Sequence, residues 1–568
     1  MSCTGAPRVP PLPRARMKAD PMSPTPRRHP IARTLALALL CTAAVVGPVA
    51  AAPAENPDAA VVARIVDEGL NRSEVMQTAS DLMDGIGPRL TNSENLRKAQ
   101  AWAMDRVKGY GLSNVHLEPF YFGLGWNLDS VSASLTSPRH LPLTAIPVAW
   151  SPPTDGVITA PVVIAPMTRE EHFAAWKGKL KGKIVLVSKP GETAESKEGT
   201  FQRLSDKEVG ELDHYDAPNF DPLTKPRWLK AMAFEEKLSD FLKAEGAVAV
   251  VTRAYRDGKL VSGEGYHYAP GHTLRLPTLQ MAQEDYRRLV RLAAGGKAPE
   301  LSLSINARYD DKTLESNNLV FEIPGTDPRA GFVMAGAHFD SWIAGDGASD
   351  NGAGSVAMIE AARLIQKLGL KPKRTIRFVL WTGEEQGELG SLAYVDQHFA
   401  ARPVDAALGG MDKEEAWNRA FPIKVKPEYA AMKAYFNIDN GSGRLRGLYD
   451  EGNVGVSSLL SEWLAPFKPM GAGAVVSSRT HGTDHEKFQA VGLPGYQFVQ
   501  DPLDYDSRVH HSTLDTVDHM RGEDMRQMSV VLAGVLWQAA NGDRELPRQP
   551  LPTQPTATDP FKVADPDQ

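Results

Sequence analysis

Cysteine is nearly absent. The 568-residue chain has two, Cys3 and Cys41, and both fall within the first 52 residues. The rest of the chain therefore has no disulfide to draw on, whatever compartment it reaches. Stability has to come from a buried core, with bound metal as the other candidate. At 42% hydrophobic and 23% charged residues the chain is long enough to bury two or three domains. A membrane-spanning run is missing as well. The apolar stretch TLALALLCTAAVV, residues 34–46, falls short of the roughly 20 residues needed to cross a bilayer and is closed by Pro48. Arg27, Arg28 and Arg33 precede it and the small-residue tract VAAAPA follows, which is the pattern of a cleaved secretory signal. There is no basic excess either: 63 Lys and Arg face 69 Asp and Glu. Seven Lys or Arg and one Asp lie in residues 1–52, so removing that leader takes the net charge from −6 to −12. Nucleic acid and anionic membrane are not expected as partners, and no internal repeat is present.

What is present has a clear order. Residues 1–52 read as leader and signal peptide, implying a secreted or periplasmic protein. Residues 53–136 supply helices (AAVVARIVDEGL, SEVMQTASDLMDGI and SENLRKAQAWAMDRVKGYG) and then strands. Between 137 and 305 the texture changes to short β runs, APVVIA, GKIVLV and GAVAVV, with one amphipathic helix, RWLKAMAFEEKLSDFLKAEG. This block is expected to be a β-rich module inserted into the first, with a polar loop over 188–225. From 306 to 545 strands alternate with helices, which argues for an α/β fold with a mixed, mostly parallel sheet covered by helices on both faces. Residues 546–568 are expected to be a disordered tail.

In open α/β sheets sites form beyond the carboxyl ends of strands. Those ends carry His338 in GAHFDSW, Asp350 in GASDNGAG, Glu384 and Glu385 in FVLWTGEEQG, Asp439 in FNIDNGSG and His511 in VHHSTLDT. Singly, each has an ordinary explanation: a core histidine, an Asx turn capping the helix over 352–368, a solvated acidic loop. Together they form a set of imidazoles and carboxylates suited to zinc, and a shared carboxylate suits two ions.

HFDSW, GDGASDNGAG, LGLKPKRTIRFVLWTGEEQG, GTDHEKFQAVGLPG and HHSTLDT resemble the double-zinc exopeptidase family of bacterial leucyl aminopeptidases and glutamate carboxypeptidases, and most of all its plasma glutamate carboxypeptidase branch. LKGKIVLV and GAVAVV resemble the protease-associated domain that such enzymes carry as an insertion. The resemblance implies two Zn2+ per chain: Asp350 as the bridge, His338 and Asp439 completing one site, Glu385 and His511 the other. It makes Glu384 the general base and implies a cis peptide between Asp350 and Asn351. Asp340, two residues beyond His338, is expected to accept the other imidazole proton and so fix the tautomer. Relatives carry an oxyanion-binding tyrosine before the last His ligand; here that position is His510.

The implied substrate is a short peptide or dipeptide, cut at one end. Arg508 and Tyr505 are candidates for a substrate carboxylate, Glu388 and Asp346 for an amine. His481 and His485 fall in a loop that the family places near substrate, whereas His267 and His272 are read as loop structure in the inserted block. Relatives with the insertion often form homodimers. Two alternatives stand beside this one: a glutaminyl-cyclase-like transferase with one zinc, and a non-catalytic relative kept for binding.

Overall fold

The computed structural model describes residues 57–193, 199–214, 227–405 and 407–554. The signal segment, both cysteines, residues 194–198 and 215–226 of the expected loop, and the tail from 555 lie outside the described residues. Among the described residues no helix is long and apolar enough to cross a membrane.

Two eight-stranded sheets organise the chain. The larger has at its centre the strands Glu315–Ile323, Thr375–Trp381, Phe332–His338, Met432–Asn437 and Gly495–Gln500, side by side in that order. Thr375–Trp381, Phe332–His338, Met432–Asn437 and Gly495–Gln500 run parallel to one another. Antiparallel partners flank them: Glu315–Ile323 on one side, Leu445–Tyr449 on the other. The sheet is thus mixed α/β, as the alternation of strand and helix signals implied. TIRFVLW has no polar face because both of its faces are covered. Ile376, Phe378 and Leu380 pack in the core with helices Ala353–Lys367 and Gly522–Asn541, while Val379 and Trp381 pack with Leu392, Tyr394 and Val395 of helix Leu389–His398.

Helices Pro57–Asn71, Val75–Met83 and Glu94–Gly109 precede the first strand. Ser93 caps the third by accepting the amide of Leu96, satisfying one of the orphan donors at a helix start. Gly111 ends it at φ +82°, a left-handed conformation that costs glycine no Cβ clash.

The second sheet begins at Gly125 and ends at Asp310, reaching beyond the expected 137–305 at both ends. The cause is pairing. Strands Gly125–Ser137 and Glu300–Asp310 are antiparallel partners along almost their whole length, so entry to and exit from the block form one ribbon. The stretch 188–225, expected as loop, also differs. It holds the helix Asp206–Glu211, opened by a capping box in which Ser205 and Glu208 satisfy each other's backbone. That segment docks on the larger sheet's side of the molecule: Gln202 pairs with Leu503, Arg203 contacts Asp501 at 3.2 Å and Asp524 at 2.8 Å, and Arg446 reaches Asp206 at 2.9 Å.

Candidate metal centre

His338 is the last residue of its strand, and the chain then turns through Phe339–Gly347 before entering helix Ala353–Lys367. Arg89, from IGPRL, holds that turn. Its wholly buried guanidinium donates to the carbonyls of Phe339 (2.8 Å), Gly87 (3.2 Å), Asp346 (2.7 Å) and Gly347 (2.8 Å). The peptide bond between Asp350 and Asn351 is cis. Asn351 locks the turn to the neighbouring strand by donating to Ile438 O at 2.7 Å and accepting from the amide of Gly354 at 3.0 Å.

Six predicted groups converge at these strand ends. His338 Nε2 lies 3.2 Å from Asp350 Oδ1, 3.2 Å from Asp439 Oδ1 and 3.8 Å from Glu384 Oε2. His511 Nε2 lies 3.1 Å from the other oxygen of Asp350, Oδ2, and 3.0 Å from Glu385 Oε2. Asp350 therefore faces one imidazole with each carboxylate oxygen. Possible ligand atoms of His338, Asp350 and Glu385, and likewise of His338, Glu384 and Asp439, lie within 4.8 Å of one another. A third such group is Asp350, His510 and His511. His510 Nε2 is 3.6 Å from Asp350 Oδ2, and its ring stacks on His511 with centroids 3.7 Å apart.

The electrostatics of this cluster call for cations. Burial pushes Glu384 well above 4.5, against the opposing pull of His338. Burial pushes Glu385 up to about 7 despite His511. Burial alone would lower His338, but Asp439 and Glu384 outweigh it and hold the imidazole well above 6.5; Glu385 and Asp350 do the same for His511. Asp350 Oδ2 and Glu385 Oε1 are buried and accept no hydrogen bond. Four carboxylates packed this way, with two oxygens unpartnered, carry a large desolvation cost that bound metal would offset. Imidazole nitrogen with carboxylate oxygen is a donor set suited to zinc.

The expected role of Asp340 needs correction. His338 Nδ1 faces the main-chain carbonyl of Asp340 at 3.0 Å, while its carboxylate stands off at 3.8 Å. The carbonyl wins because the turn after the strand points it back at the ring. The carboxylate instead accepts from Thr91 Oγ1 at 2.7 Å and, at 3.4 Å, from the amide of Glu384. Asp340 thus ties the Glu384 backbone to the centre.

The substrate candidates are placed as follows. Arg508 pairs with Asp504 at 2.8 Å, and Glu388 with the buried Lys487 at 2.9 Å. Tyr505 is buried with its ring 4.8 Å from that of His510, and Asp346 lies half-buried on the turn held by Arg89. His485 is buried against Glu451, and His481 pairs with Glu486 at 2.7 Å. His267 and His272 bond to Glu235 and Glu236. Beside Glu385 and His511 is a narrow recess walled by Trp342, Gly345, Ser512 and Asp515. Two residues of the centre were not singled out from the sequence. Asp515, in the STLDT motif, supports the Asp350 backbone; Glu264, from the second sheet's block, bonds to His511.

Comparison with known proteins agrees with the motifs. Residues 318–536 match the model of Peptidase family M28, and that span contains all six groups of the cluster. Carboxypeptidase Q of Bos taurus is 28% identical over 473 residues, covering 82% of this chain and 85% of its own length. A solved structure described as a Peptidase M28 precursor from Shewanella amazonensis SB2B superposes with a TM-score of 0.62 at 23% identity, covering 87% of this chain and 99% of its own. BSAP, a zinc aminopeptidase from Bacillus subtilis, gives 0.52 at 19% identity, covering 83% and 95%. The chain resembles the double-zinc exopeptidases, has carboxypeptidase Q among its relatives, and shares the fold of these two structures.

Proposed function

We propose that this chain is an exported zinc-dependent exopeptidase that hydrolyses the terminal peptide bond of short peptides or dipeptides. What carries this is the geometry of Asp350, one oxygen toward His338 and the other toward His511, within a cluster that has carboxylates to spare for two ions. Asp350 would bridge, with His338 and Asp439 completing one site and Glu385 and His511 the other. Zinc, when bound, supplies Lewis acidity that polarises a carbonyl and acidifies water near neutral pH.

The chain's own residues do the rest. Glu384, adjacent to the ligand Glu385 and tied through its amide to Asp340, accepts the proton of the attacking water and delivers it to the leaving nitrogen. Burial lowers the pKa of His510 against the pull of Asp350, which favours the neutral ring. A neutral ring keeps one N–H to donate to the oxyanion, the task that tyrosine performs in relatives.

The test is hydrolysis of free, amino-blocked and carboxyl-blocked dipeptides by protein loaded with zinc, with ions counted per chain. Cleavage that chelator abolishes and zinc restores is expected, and the blocked substrate that survives reveals which end is recognised. No cleavage of any of the three, or one tight zinc per chain, would favour the transferase or the binding relative instead.

A further inference from the structure

Glu264 precedes His511 by 247 residues and lies outside the stretch 318–536, yet its Oε1 is 3.0 Å from His511 Nδ1. The opposite ring nitrogen, Nε2, faces Asp350 and Glu385 at 3.1 and 3.0 Å. A carboxylate on Nδ1 keeps the proton there, which leaves the Nε2 lone pair directed at whatever sits between the two acids. The two imidazoles of the centre are therefore oriented by different means. His338 relies on a carbonyl two residues further along its own turn. His511 relies on a side chain from the loop between strands Ala249–Arg253 and Thr278–Met281 of the second sheet.

That loop is built to hold the carboxylate in place. Tyr266 packs edge-on against Trp342 with ring centroids 5.5 Å apart, and Trp342 packs edge-on against His511 at 6.0 Å. Arg256 donates to the carbonyl of Asp506 at 3.0 Å and to that of His510. Ser262 donates its amide to Gln280 Oε1 at 2.6 Å, fastening the loop to its own sheet. On the far side of the His511 segment, Arg203 of the same block grips Asp501. The chain from 501 to 511 is thus clamped by the inserted block at both ends.

We infer that Glu264 is a positioning residue for the second cation, so that the His511 and Glu385 half of the centre is complete only with the inserted block docked. This rests on the two-ion arrangement proposed above. The experiment is calorimetric titration of the full-length metal-free protein with zinc, repeated with cobalt for its visible spectrum. The unaltered chain is expected to show two binding events. Glu264→Ala weakens one of them about 10- to 100-fold, leaves the other as it was, and changes the cobalt spectrum of the weakened site. Glu264→Gln, whose amide oxygen still accepts from Nδ1–H, recovers most of the affinity. Should Glu264→Ala fail to fold, Glu264→Asp, one methylene short, is expected to weaken the same event. Two unchanged events in the variant that folds, or equal weakening of both, overturns the assignment: the first removes the link to His511, the second reduces Glu264 to general structure. A single event in the unaltered chain would instead refute the two-ion arrangement before any variant is made.

Discussion

Asp515 holds Asp350 from behind. Its Oδ1 accepts the amide of Ser349 at 2.5 Å and its Oδ2 the amide of Asp350 at 3.2 Å. Burial, with Asp350 nearby, pushes the Asp515 carboxyl up to about 8 in spite of these two donors. Cations bound beside Asp350 would offset this crowding of buried carboxylates. Asp515→Ala is expected to cost about 10- to 100-fold in metal affinity through the loss of this outer support. Competition with a chelator of known affinity measures it, and an unchanged affinity would remove Asp515 from the centre.

Glu384→Gln should separate chemistry from binding. Turnover is expected to drop by about 10²- to 10⁴-fold, the range of general acid–base catalysis, with the zinc count per chain unchanged. Loss of zinc alongside turnover would make Glu384 a ligand instead.

Asp350→Ala and His511→Ala should differ in stoichiometry. The bridging position predicts loss of both ions in the first and of one in the second, read by elemental analysis of the purified variants. Retention of one full equivalent in Asp350→Ala would argue against a bridge.

Arg89→Met keeps bulk and removes the donors to four carbonyls, of which those of Phe339, Asp346 and Gly347 shape the turn after His338. Leaving buried acceptors unpaired costs about 1–3 kcal/mol each, so a loss of several kcal/mol in unfolding free energy is expected, read from denaturant unfolding of the metal-free protein. A loss below about 1 kcal/mol, the net worth of one ordinary hydrogen bond, would show that water replaces the guanidinium.

His485 and Glu451, neither of them a predicted ligand, make stability depend on pH. Both are buried, 3.4 Å apart, and Thr480 Oγ1 contacts each. Burial would lower His485, but Glu451 outweighs it and raises the pKa above 6.5; burial would raise Glu451, but His485 outweighs it and lowers the pKa below 4.5. The His485 contribution is whole below about pH 6.5 and is lost as pH climbs through the raised folded-state value. The Glu451 contribution is present above about pH 4.5 and is lost as pH falls through the depressed one. Glu451→Gln should therefore destabilise most between those limits, by about 3–5 kcal/mol for a broken buried pair, and less at pH 9. Thermal unfolding across pH 4 to 9 checks this; a gap independent of pH would refute the pairing.

How far the sequence could be read follows from the range of the interactions. His338, Glu384, Glu385 and Asp439 are legible because each follows a strand whose apolar run marks its end, and the α/β alternation says those ends share one edge. The atom of Asp340 that faces His338 Nδ1 is not legible for the opposite reason: a main-chain carbonyl leaves no trace in residue identity, whereas the Asp340 side chain is an acceptor that sequence displays. Glu264 was invisible, since the bond it makes joins segments 247 residues apart and no periodicity links a loop of one sheet to a strand end of another. Helix Asp206–Glu211 was readable from the S-x-x-E of Ser205 and Glu208, but the polar stretch around it masked that local signal.

The groups that converge on Asp350 are scattered over a long stretch of chain, from His338 to His511, with strands Met432–Asn437 and Gly495–Gln500 laid down between them. A nascent chain carrying only the first three acids has no closed coordination shell to offer. Metal held by this set of groups would therefore close the centre only after the last of these strands is in place, and the long-range strand pairing that such a topology demands would draw first on apolar burial.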